Sequence, residues 1–351
     1  MTINKRREFL KKTTSAALGV TIIPRYVIGK GFTPPSDRFN IGIIGLGAQS
    51  SGLIERISKI SDARVIAGCD IHKKRLTRFS KLIDNEYVKH KIKGRALIYE
   101  DFYKLIENPN IDGVVVSTPD HWHAIPSINA MKAGKHVYCE KPMSHTIHEG
   151  RAMENTAKKY NRVLQTGSMQ RSRADFRKAC ELVRNGYIGK IERIWVEVGN
   201  PSAPCNLPFQ ETPDYLNWDR WLGPAPLRSY HDIIVERDWF PNWRWYREFG
   251  GGILSDWGAH MFDIVQWALG MDHSGPIKYE APMEPTASRG LKMFYDNGIE
   301  VEHRNFGRGF AVRFFGSKGS LDISRSFLET NPKDLLNVKF KPTDTKLYVS
   351  E

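Results

Sequence analysis

The sequence predicts an α/β fold that opens with a doubly wound, parallel sheet. Three observations support this class. A short apolar run at 39–44 stops at a glycine turn, 45–47, and passes into a helical pattern. Further apolar runs follow with helical patterns between them, and strands that alternate with helices are typical of parallel sheets. They lie at 63–70, 113–119 and 136–139. The first of these three ends in an acid, Asp70.

The glycine turn is typical of a βαβ unit that binds a dinucleotide. Gly45 would make the tight turn, and Gly47 would let the backbone approach a pyrophosphate at the start of the following helix, where free N–H groups favour anions. Ser50 stands where a third glycine is usual, which weakens the motif and leaves a plain glycine turn as the alternative. Asp70 can accept hydrogen bonds from an adenosine ribose. Strand, turn, helix and acid together therefore favour dinucleotide binding.

The length and the charge of the chain limit the number of domains and the kinds of partner that it can have. A chain of 351 residues suits two domains that can each bury a core. The formal charge of +13 could indicate a nucleic-acid partner, but residues 1–30 hold seven Lys and Arg against one acid, and the rest of the excess is spread along the chain. We therefore expect no nucleic-acid binding. The chain divides into a leader and linker at 1–36, a first domain at 37–167 and a second domain at 168–351.

The four cysteines show no C-x-x-C spacing. Two of them end predicted core strands, where a free thiol behaves as a small buried hydrophobe. The residues are Cys69, Cys139, Cys180 and Cys205. We expect neither a metal site nor an obligatory disulfide among them.

The first thirty residues resemble an export signal. The paired arginines Arg6 and Arg7, followed by Phe-Leu-Lys and then by a modest apolar run at 16–23, are similar to the twin-arginine type of secretory signal. A basic amphipathic helix or a membrane anchor is the alternative. The apolar run is well short of the ~20 residues that span a bilayer. We therefore expect an exported, periplasmic protein without a stable membrane anchor.

Polar side chains follow two further strands of the first domain. Thr118-Pro119 and His123 come after the run at 113–119, and Glu140-Lys141-Pro142 comes directly after the run at 136–139. Because open α/β sheets bind ligands outside the carboxyl ends of their strands, we expect these residues to lie beside the glycine turn. The proline after Lys141 would fix the turn that presents the lysine.

The second domain shows helix, strand and hairpin patterns of its own. A helical pattern at 173–184 stops at Asn185-Gly186. The run at 191–198 largely alternates polar and apolar residues, as a half-buried strand should. The turn 296–298 between two apolar runs is a strong hairpin signal. The hairpin strands are expected at 291–295 and 299–303, and further strands at 310–315 and 320–323.

A loop that enters a helix at 250–263 carries the strongest constellation of titratable residues. Ser255 is a plausible N-cap. Asp256 and His260 are four residues apart and would project from one helix face, with Asp263 on the same stripe. This spacing could also hold a metal, but no motif supplies a third ligand. We therefore expect a proton-transfer site and no metal.

A long insertion between 200 and 250, which we call the arm, is rich in proline and aromatic residues. Flat aromatic faces with nearby Arg220, Arg244 and Arg247 suit sugar rings; a rigid arm that packs on the domain or on another subunit is the equal alternative. Its aromatic residues include Trp218, Trp221, Trp239, Trp243, Trp245 and Tyr246.

Taken together, these motifs resemble the glucose-fructose oxidoreductase, inositol dehydrogenase and MocA (Gfo/Idh/MocA) family over residues 39 to about 320. The resemblance implies an N-terminal Rossmann dinucleotide-binding domain and a C-terminal α/β domain with an open-faced, mostly antiparallel sheet. It also implies a nicotinamide cofactor, a sugar or polyol substrate and a homo-oligomer. The cofactor site would comprise Gly45, Gly47, Ala48, Gln49, Asp70, Thr118, Pro119, His123, Glu140 and Lys141. The substrate site would comprise Gln170, Arg171, Arg244, Trp245, Tyr246, Asp256 and His260.

By this resemblance Lys141, Asp256 and His260 match the family's catalytic lysine, aspartate and histidine. A carbinol carbon gives up a hydride only as its hydroxyl proton leaves, and a histidine suits that base role. We assign His260 as the base, Asp256 as the group that orients substrate or imidazole, and Lys141 as a cationic donor to the developing alkoxide. A buried His–Asp pair with only a structural role is the alternative.

The cofactor is expected to be NAD, because Asp70 would repel a 2′-phosphate, whereas Lys73, Lys74 and Arg75 leave NADP open. Export of a folded protein to a compartment with little free cofactor implies that the cofactor is tightly bound. Two other functions compete with net oxidoreduction: a redox-assisted glycosidase that oxidises its substrate transiently, and a non-catalytic dinucleotide-binding protein. The glycosidase branch tends to lack the lysine of the Glu-Lys-Pro motif, so Lys141 favours net oxidoreduction.

Overall fold

The computed structural model describes residues 38–92, 94–236, 242–284 and 286–348. The predicted leader and linker at 1–36 and Trp239 of the arm lie outside these ranges. Within them, no helix is both long and apolar enough to cross a bilayer.

The first domain is built on a six-stranded, wholly parallel sheet. Its strand order, β3-β2-β1-β4-β5-β6, places β1 beside β4 at the centre, where the two halves of a doubly wound sheet meet. The strands are β1 (Phe39–Ile44), β2 (Ala63–Cys69), β3 (Leu97–Tyr99), β4 (Gly113–Val116), β5 (His136–Cys139) and β6 (Leu164–Thr166). The predicted strands are all present. The edge strand β3, which is three residues long and largely exposed, was not predicted.

Helices cover both faces of this sheet. Two separate apolar clusters, one containing Ile54 and Phe79 and the other containing Met131 and Met153, pack on its opposite sides. The helices are α1 (Ala48–Ile57), α2 (Lys73–Lys89), α3 (Phe102–Ile106), α4 (Ala124–Lys132) and α5 (Ile147–Tyr160). Helix α5 carries a full capping box, since Thr146 and Glu149 each accept a hydrogen bond from the other's backbone N–H.

The second domain is a seven-stranded sheet with the order β13-β12-β11-β7-β10-β9-β8. Neighbouring strands are antiparallel except for the parallel pair β7 and β10. The strands are β7 (Ile191–Glu197), β8 (Lys278–Glu280), β9 (Lys292–Phe294), β10 (Glu300–His303), β11 (Ala311–Gly316), β12 (Gly319–Ser324) and β13 (Leu328–Asn331). The predicted fold class is therefore confirmed, including the hairpin across 296–298.

One face of this sheet forms the core of the second domain. Alternate residues of the central strands, such as Ile194, Val312 and Phe314, are fully buried against helices α6 (Ala174–Arg184) and α9 (Gly252–Ala268). The segment after β13 packs on the same domain, where Leu347 N donates to Glu181 Oε1 at 2.8 Å. On the opposite face, Trp195, Arg313 and Phe315 are half-buried.

Helix α9 begins four residues earlier than the sequence suggested, because its N-cap is residue 251 and not residue 255. Gly252 has φ +74, and a Cβ on it would lie 2.3 Å from Ser202 N, so the chain needs glycine to turn into the helix at this point. Gly251 is the N-cap residue, and Ser255 lies inside the first turns. The prediction of Ser255 as the N-cap was wrong, because Gly251 and Gly252 start the helix without a side-chain cap.

The arm packs against the first domain. It contains the short helices α7 (Trp218–Leu222) and α8 (Asp232–Val235), and its aromatic residues form a fourth apolar cluster with Trp221 and Phe249 at the centre. Backbone hydrogen bonds join it to the loop after β2, where Asn217 N donates to Ile71 O at 3.3 Å, and to the first residue of α2, where Lys73 N donates to Tyr215 O at 2.8 Å. Most aromatic residues of the arm thus pack within the protein, as the second of the two alternatives predicted.

Candidate active site

A cavity of about 820 Å³ lies between the two domains and the arm. Its volume falls in the range of small-molecule and cofactor sites. The first domain supplies the glycine turn, Asp70 and the loops after β4 and β5, while α9 supplies Asp256, Trp257 and His260. The arm adds Arg220, Trp221, Val235, Trp243 and Arg244, and the loop after β12 adds Arg325.

The glycine turn is shaped to receive an anion. Gly45 has φ +87, and a Cβ there would lie 2.7 Å from Thr118 N, so no other residue fits without strain. A Cβ on Gly47 would meet nothing within 4 Å and would project into open space in front of the first turn of α1. Ser50 donates from Oγ to Gly47 O at 2.7 Å. This bond shows how a serine serves at the position where a third glycine is usual.

Asp70 is tied to the glycine turn. One carboxylate oxygen accepts a hydrogen bond from Leu46 N at 2.7 Å, and the other accepts one from His72 N at 2.9 Å. Each oxygen keeps a further lone pair, and the side chain lines the cavity. Among the three basic residues that left NADP open, only Arg75 lines the cavity; it donates to Val235 O of the arm at 2.9 Å.

Two of the predicted cofactor residues brace the site without lining the cavity. His123 is 1% exposed and links two loops, because one ring nitrogen lies 2.6 Å from Pro142 O and the other 2.9 Å from Thr118 O. Burial lowers its pKa to about 4. Glu140 accepts a hydrogen bond from Gln49 Nε2 at 2.9 Å. The other eight predicted cofactor residues all line the cavity.

Lys141, Asp256 and Arg244 form one charged cluster. Lys141 Nζ lies 2.6 Å from Asp256 Oδ1 and also donates to Asp256 O at 3.0 Å. Arg244 Nε donates to the same Oδ1 at 3.1 Å. Burial alone would raise the pKa of Asp256, but the two cations outweigh it and hold that pKa below its usual value. Asp256 therefore remains a carboxylate that positions Lys141 within the cavity.

His260 lies on the same helix, one turn after Asp256. Its side chain lines the cavity, and its Nδ1 is buried with no hydrogen-bond partner among the described residues. Burial lowers its pKa to about 3, with Lys141 and Arg325 adding to the effect. The imidazole is therefore neutral near pH 7 and can accept a proton. This pKa lies well below the near-neutral value expected of the base, chiefly because the imidazole is buried and secondarily because two cations lie near it.

The structure brings together three of the seven residues predicted to contact substrate. Arg244, Asp256 and His260 line the cavity. Arg171 instead pairs with Asp263 and Asp272, at 2.7 and 2.8 Å. Gln170 is 1% exposed beside the sulfur of Met261. Trp245 and Tyr246 do not line the cavity either; Trp245 is half exposed, and Tyr246 packs on the aromatic cluster of the arm.

Sequence reasoning missed several residues of the site. Trp257, Met169 and Arg325 line the cavity beside His260. Asp120 is buried outside the cavity lining, and this burial raises its pKa to about 8. Trp257 adjoins a predicted residue and Asp120 lies inside the segment 118–123, so both could have been found. Arg325 stands in a loop with no motif around it. Among the described residues, no group of three His, Cys, Asp or Glu side chains could hold a metal ion.

Comparison with known proteins agrees with this geometry. A family model described as "Oxidoreductase family, NAD-binding Rossmann fold" (GFO_IDH_MocA) matches residues 39–168. The model for the "Oxidoreductase family, C-terminal alpha/beta domain" of the same family matches residues 195–304. Together these ranges cover more than half of the chain.

Curated relatives match the chain over part of its length. The myo-inositol 2-dehydrogenase of Thermotoga maritima is 35% identical over 164 residues, which is 47% of this chain and 46% of that protein. A glycosyl hydrolase family 109 protein of Solibacter usitatus is 33% identical over 161 residues, which is 43% of this chain and 36% of that protein. Each match thus spans less than half of the relative.

A solved structure shows the same fold over most of the chain. The WlbA dehydrogenase from Bordetella pertussis, in complex with NADH and UDP-GlcNAcA, matches with a TM-score of 0.58 at 18% identity. The match covers 82% of this chain and 78% of that one. At this identity the likeness supports the two-domain fold alone.

Proposed function

We propose a function for this chain from one premise: it belongs to the Gfo/Idh/MocA family of oxidoreductases. The function is hydride transfer between a nicotinamide cofactor and a sugar, a polyol or a related carbonyl compound. This proposal rests on one observation: the glycine turn, Asp70 and the group of Lys141, Asp256 and His260 all line the same cavity.

The residues present fit a nicotinamide dinucleotide. The open space beside Gly47, at the N-terminus of α1, would take the pyrophosphate because unpaired N–H groups and the helix dipole point there. Asp70 would accept hydrogen bonds from the adenosine ribose, and a carboxylate at that position disfavours a 2′-phosphate. We therefore propose NAD over NADP. Arg75, which also lines the cavity, is the residue that could reverse this preference.

The side chains near His260 suit the proton half of the reaction. When bound, the nicotinamide ring supplies or accepts the hydride. His260, as a neutral imidazole, takes the hydroxyl proton of an alcohol substrate. The ammonium group of Lys141 donates a hydrogen bond to the oxygen on which negative charge develops. Asp256 acts through Lys141, because it holds the ammonium group 2.6 Å from its own carboxylate. In the reverse direction the same groups return the proton to a carbonyl oxygen.

Two measurements test this function directly. Mass spectrometry of small molecules released on denaturing the purified protein should find a nicotinamide dinucleotide. A panel of sugars and polyols should then change the nicotinamide absorbance of the native protein. Absence of any dinucleotide, together with failure to bind added NAD or NADP, would sink the proposal.

A redox-assisted glycosidase is the second candidate, because a glycosyl hydrolase family 109 protein is among the relatives. In such a reaction, oxidation beside a C–H bond makes it acidic, elimination releases the leaving sugar, and the hydride then returns. This candidate differs in its products. A glycoside would be cleaved with no net nicotinamide reduction, whereas net oxidoreduction leaves one reduced cofactor per oxidised alcohol.

We also propose that the cofactor is held tightly, because the arm closes one side of the cavity. Arg220 of α7 donates to Glu100 O at 3.2 Å and pairs with Asp101 at 3.4 Å. Trp122 Nε1 donates to Trp221 O at 2.8 Å. A dinucleotide under this arm could leave only after these contacts open. Cofactor that exchanges fully with free dinucleotide during one gel-filtration run would contradict the proposal.

The outer face of the second sheet supports the proposal of a homo-oligomer. Trp195 packs edge-on against Phe315 with their ring centroids 4.5 Å apart, and Arg304 lies 4.3 Å above Trp195. Half-buried aromatic and arginine side chains are enriched at protein interfaces. We propose that a second copy covers this face. A solution mass equal to one chain at micromolar concentration would rule this out.

We further propose export to the periplasm by the twin-arginine route, with folding and cofactor loading before transport. The support is the sequence pattern at Arg6 and Arg7 alone. Replacing both with lysine should leave the folded protein in the cytoplasm of its host. Unchanged export of that variant would count against this route.

A further inference from the structure

Arg325 brings a guanidinium group to the end of the cavity that holds His260. The residue follows directly after β12 and lines the cavity. Its guanidinium lies 4.4 Å above the ring of Trp257, and Trp257 in turn stacks on Phe310 at a centroid distance of 4.1 Å. This stack holds the guanidinium in a fixed place, as cation–π packing on an aromatic ring does.

The donors of Arg325 are largely unused by the protein. Within the part of the chain that the structure describes, its one side-chain hydrogen bond is a weak contact from Nη2 to Met169 Sδ at 3.9 Å. Among the described residues, no carboxylate lies within ion-pair distance of it. Arg171 and Arg313, in contrast, each bind a carboxylate through two nitrogens. A guanidinium offers five N–H donors in a planar fork, so most of the donors of Arg325 remain available to a ligand.

The surroundings of Arg325 favour a negative charge. Burial and the nearby Arg173 lower the pKa of Arg325, and Asp256 offsets only part of this effect. Asp256 is itself held by Lys141 at 2.6 Å. Arg173 Nη2 donates to Arg325 O at 2.9 Å and so fixes the backbone beneath the guanidinium. The cavity therefore presents a fixed, partly desolvated cation whose charge no neighbouring carboxylate cancels.

We propose that Arg325 binds an anionic substituent of the substrate, a carboxylate or a phosphate, so that the enzyme acts on an acidic sugar or polyol derivative. This inference rests on the proposed function. Carboxylate and phosphate oxygens match the two-pronged geometry of a guanidinium. An anion here would also offset the two cations beside His260, and thus raise the pKa of the imidazole toward the range in which it accepts protons efficiently.

Binding of matched neutral and acidic ligands tests the proposal. The cofactor-loaded protein is titrated calorimetrically with glucose, glucuronate and glucose 6-phosphate, and with the corresponding galactose and inositol sets. In a set whose sugar or polyol fits the cavity, at least one of the acidic ligands should bind roughly 10- to 100-fold more tightly than the neutral ligand. A gain of this size is what hydrogen bonds to a charged group imply. The two kinds of acid show whether the group is a carboxylate or a phosphate.

Three variants assign the preference to the side chain. Arg325→Gln should weaken the binding of acids far more than that of neutral ligands and so abolish the preference for acids, and Arg325→Lys should retain part of that preference. Arg64→Gln is the matched control, because Arg64 also lies over an aromatic ring, 4.8 Å from the centroid of Tyr87, outside the cavity. Arg64→Gln should keep the full preference.

Three results would overturn the inference: no preference for acids in any set, binding of no ligand from any set, or equal loss of acidic and neutral binding in Arg325→Gln. A failure of the proposed function can be distinguished from a failure of this inference. If wild-type protein reduces its nicotinamide with neutral sugars but shows no preference for acids, the function stands and the inference is wrong. If acids bind through Arg325 without any hydride transfer, the inference stands and the function is wrong.

Discussion

At the scale of single residues, Asp120 and Asp256 differ in protonation state although they lie near the same two cations. It lies fully buried, with Gly250 against it and Arg244, Asp256 and Lys141 nearby. Burial raises its pKa from 3.8 to about 8, and the repulsion by Asp256 adds to that. At neutral pH Asp120 therefore carries a proton, and Asp256 is the ionised carboxylate that holds Lys141.

Substitution of Asp120 by asparagine should change how stability depends on pH. Between about pH 4 and pH 8 the unfolded wild-type chain has lost this proton and the folded chain retains it, so the contribution of Asp120 to stability falls as pH rises. Asp120→Asn has no such proton. The stability of the variant relative to wild type should therefore increase from pH 5 to pH 8, by at most about 1.4 kcal/mol per pH unit.

The measurement is the thermal melting temperature of both proteins across that range. Five buried histidines shift stability in the opposite direction, since burial lowers their pKa values: His72, His121, His123, His260 and His303. Their effect is common to both proteins and cancels in the difference. Asp334→Asn, at an exposed carboxyl group, controls for loss of a charge. A constant difference between Asp120→Asn and wild type would show that Asp120 is ionised in the folded protein.

Several residues that line the cavity could be predicted from the sequence, because short sequence spacings mark them. Gly45 and Gly47 follow a strand, and Asp256 and His260 are one helical turn apart. Arg325 could not be identified, because it acts through a cavity whose other walls lie in distant parts of the chain. Arg171 and Gln170 were assigned to substrate binding without that geometry; the structure instead places Arg171 in ion pairs and Gln170 against Met261.

At the scale of elements, the turn between β1 and α1 separates two roles of glycine. Gly47 has an extended backbone that any residue adopts, and its Cβ position is open. Gly45 is in the left-handed region and packs against the loop after β4. Of the two, Gly45 is therefore required for folding, whereas we expect Gly47 to be required for ligand binding.

Two glycine variants test this separation. Gly47→Val should fold with the stability of the cofactor-free wild type and yet bind no dinucleotide, because its side chain fills the space for the pyrophosphate. Gly45→Ala should lose roughly 1–3 kcal/mol of stability through backbone strain alone. Denaturant unfolding and bound cofactor per chain are measured for both. Normal cofactor content in Gly47→Val would place the pyrophosphate elsewhere.

The strands with strong hydrophobic patterns were predicted in both sheets, whereas short strands at the sheet edges were missed. β3 and β8 are three residues long and mostly exposed, so neither shows the burial that produces an alternating or apolar run. The start of α9 was misplaced for another reason. A glycine with positive φ begins the helix, and no capping residue marks that position.

At the scale of the whole molecule, the candidate active site exists only because three parts of the chain meet. The first domain supplies the glycine turn and Asp70 of the proposed dinucleotide site, α9 supplies Asp256 and His260, and the arm covers the cavity between them. Lys141 is the direct link, since it leaves the first domain at the end of β5 and pairs with α9 at 2.6 Å. This link places a cation and a histidine beside the expected nicotinamide position.

The central claim is that His260 takes a proton during hydride transfer without holding the cofactor. Removing a positioned base typically costs ~10²–10⁴-fold in rate, and removing a charge-stabilising donor costs about 10²–10³-fold. His260→Ala and Lys141→Ala should therefore retain wild-type amounts of bound dinucleotide and lose turnover by those factors.

The most direct measurement is single-turnover nicotinamide absorbance of wild type and His260→Ala with a reactive sugar, followed across pH, with bound cofactor measured in the same samples. We predict full cofactor content in both proteins and a hydride step at least 100-fold slower in the variant. A wild-type rate in His260→Ala at every pH would contradict the assignment of His260 as the base.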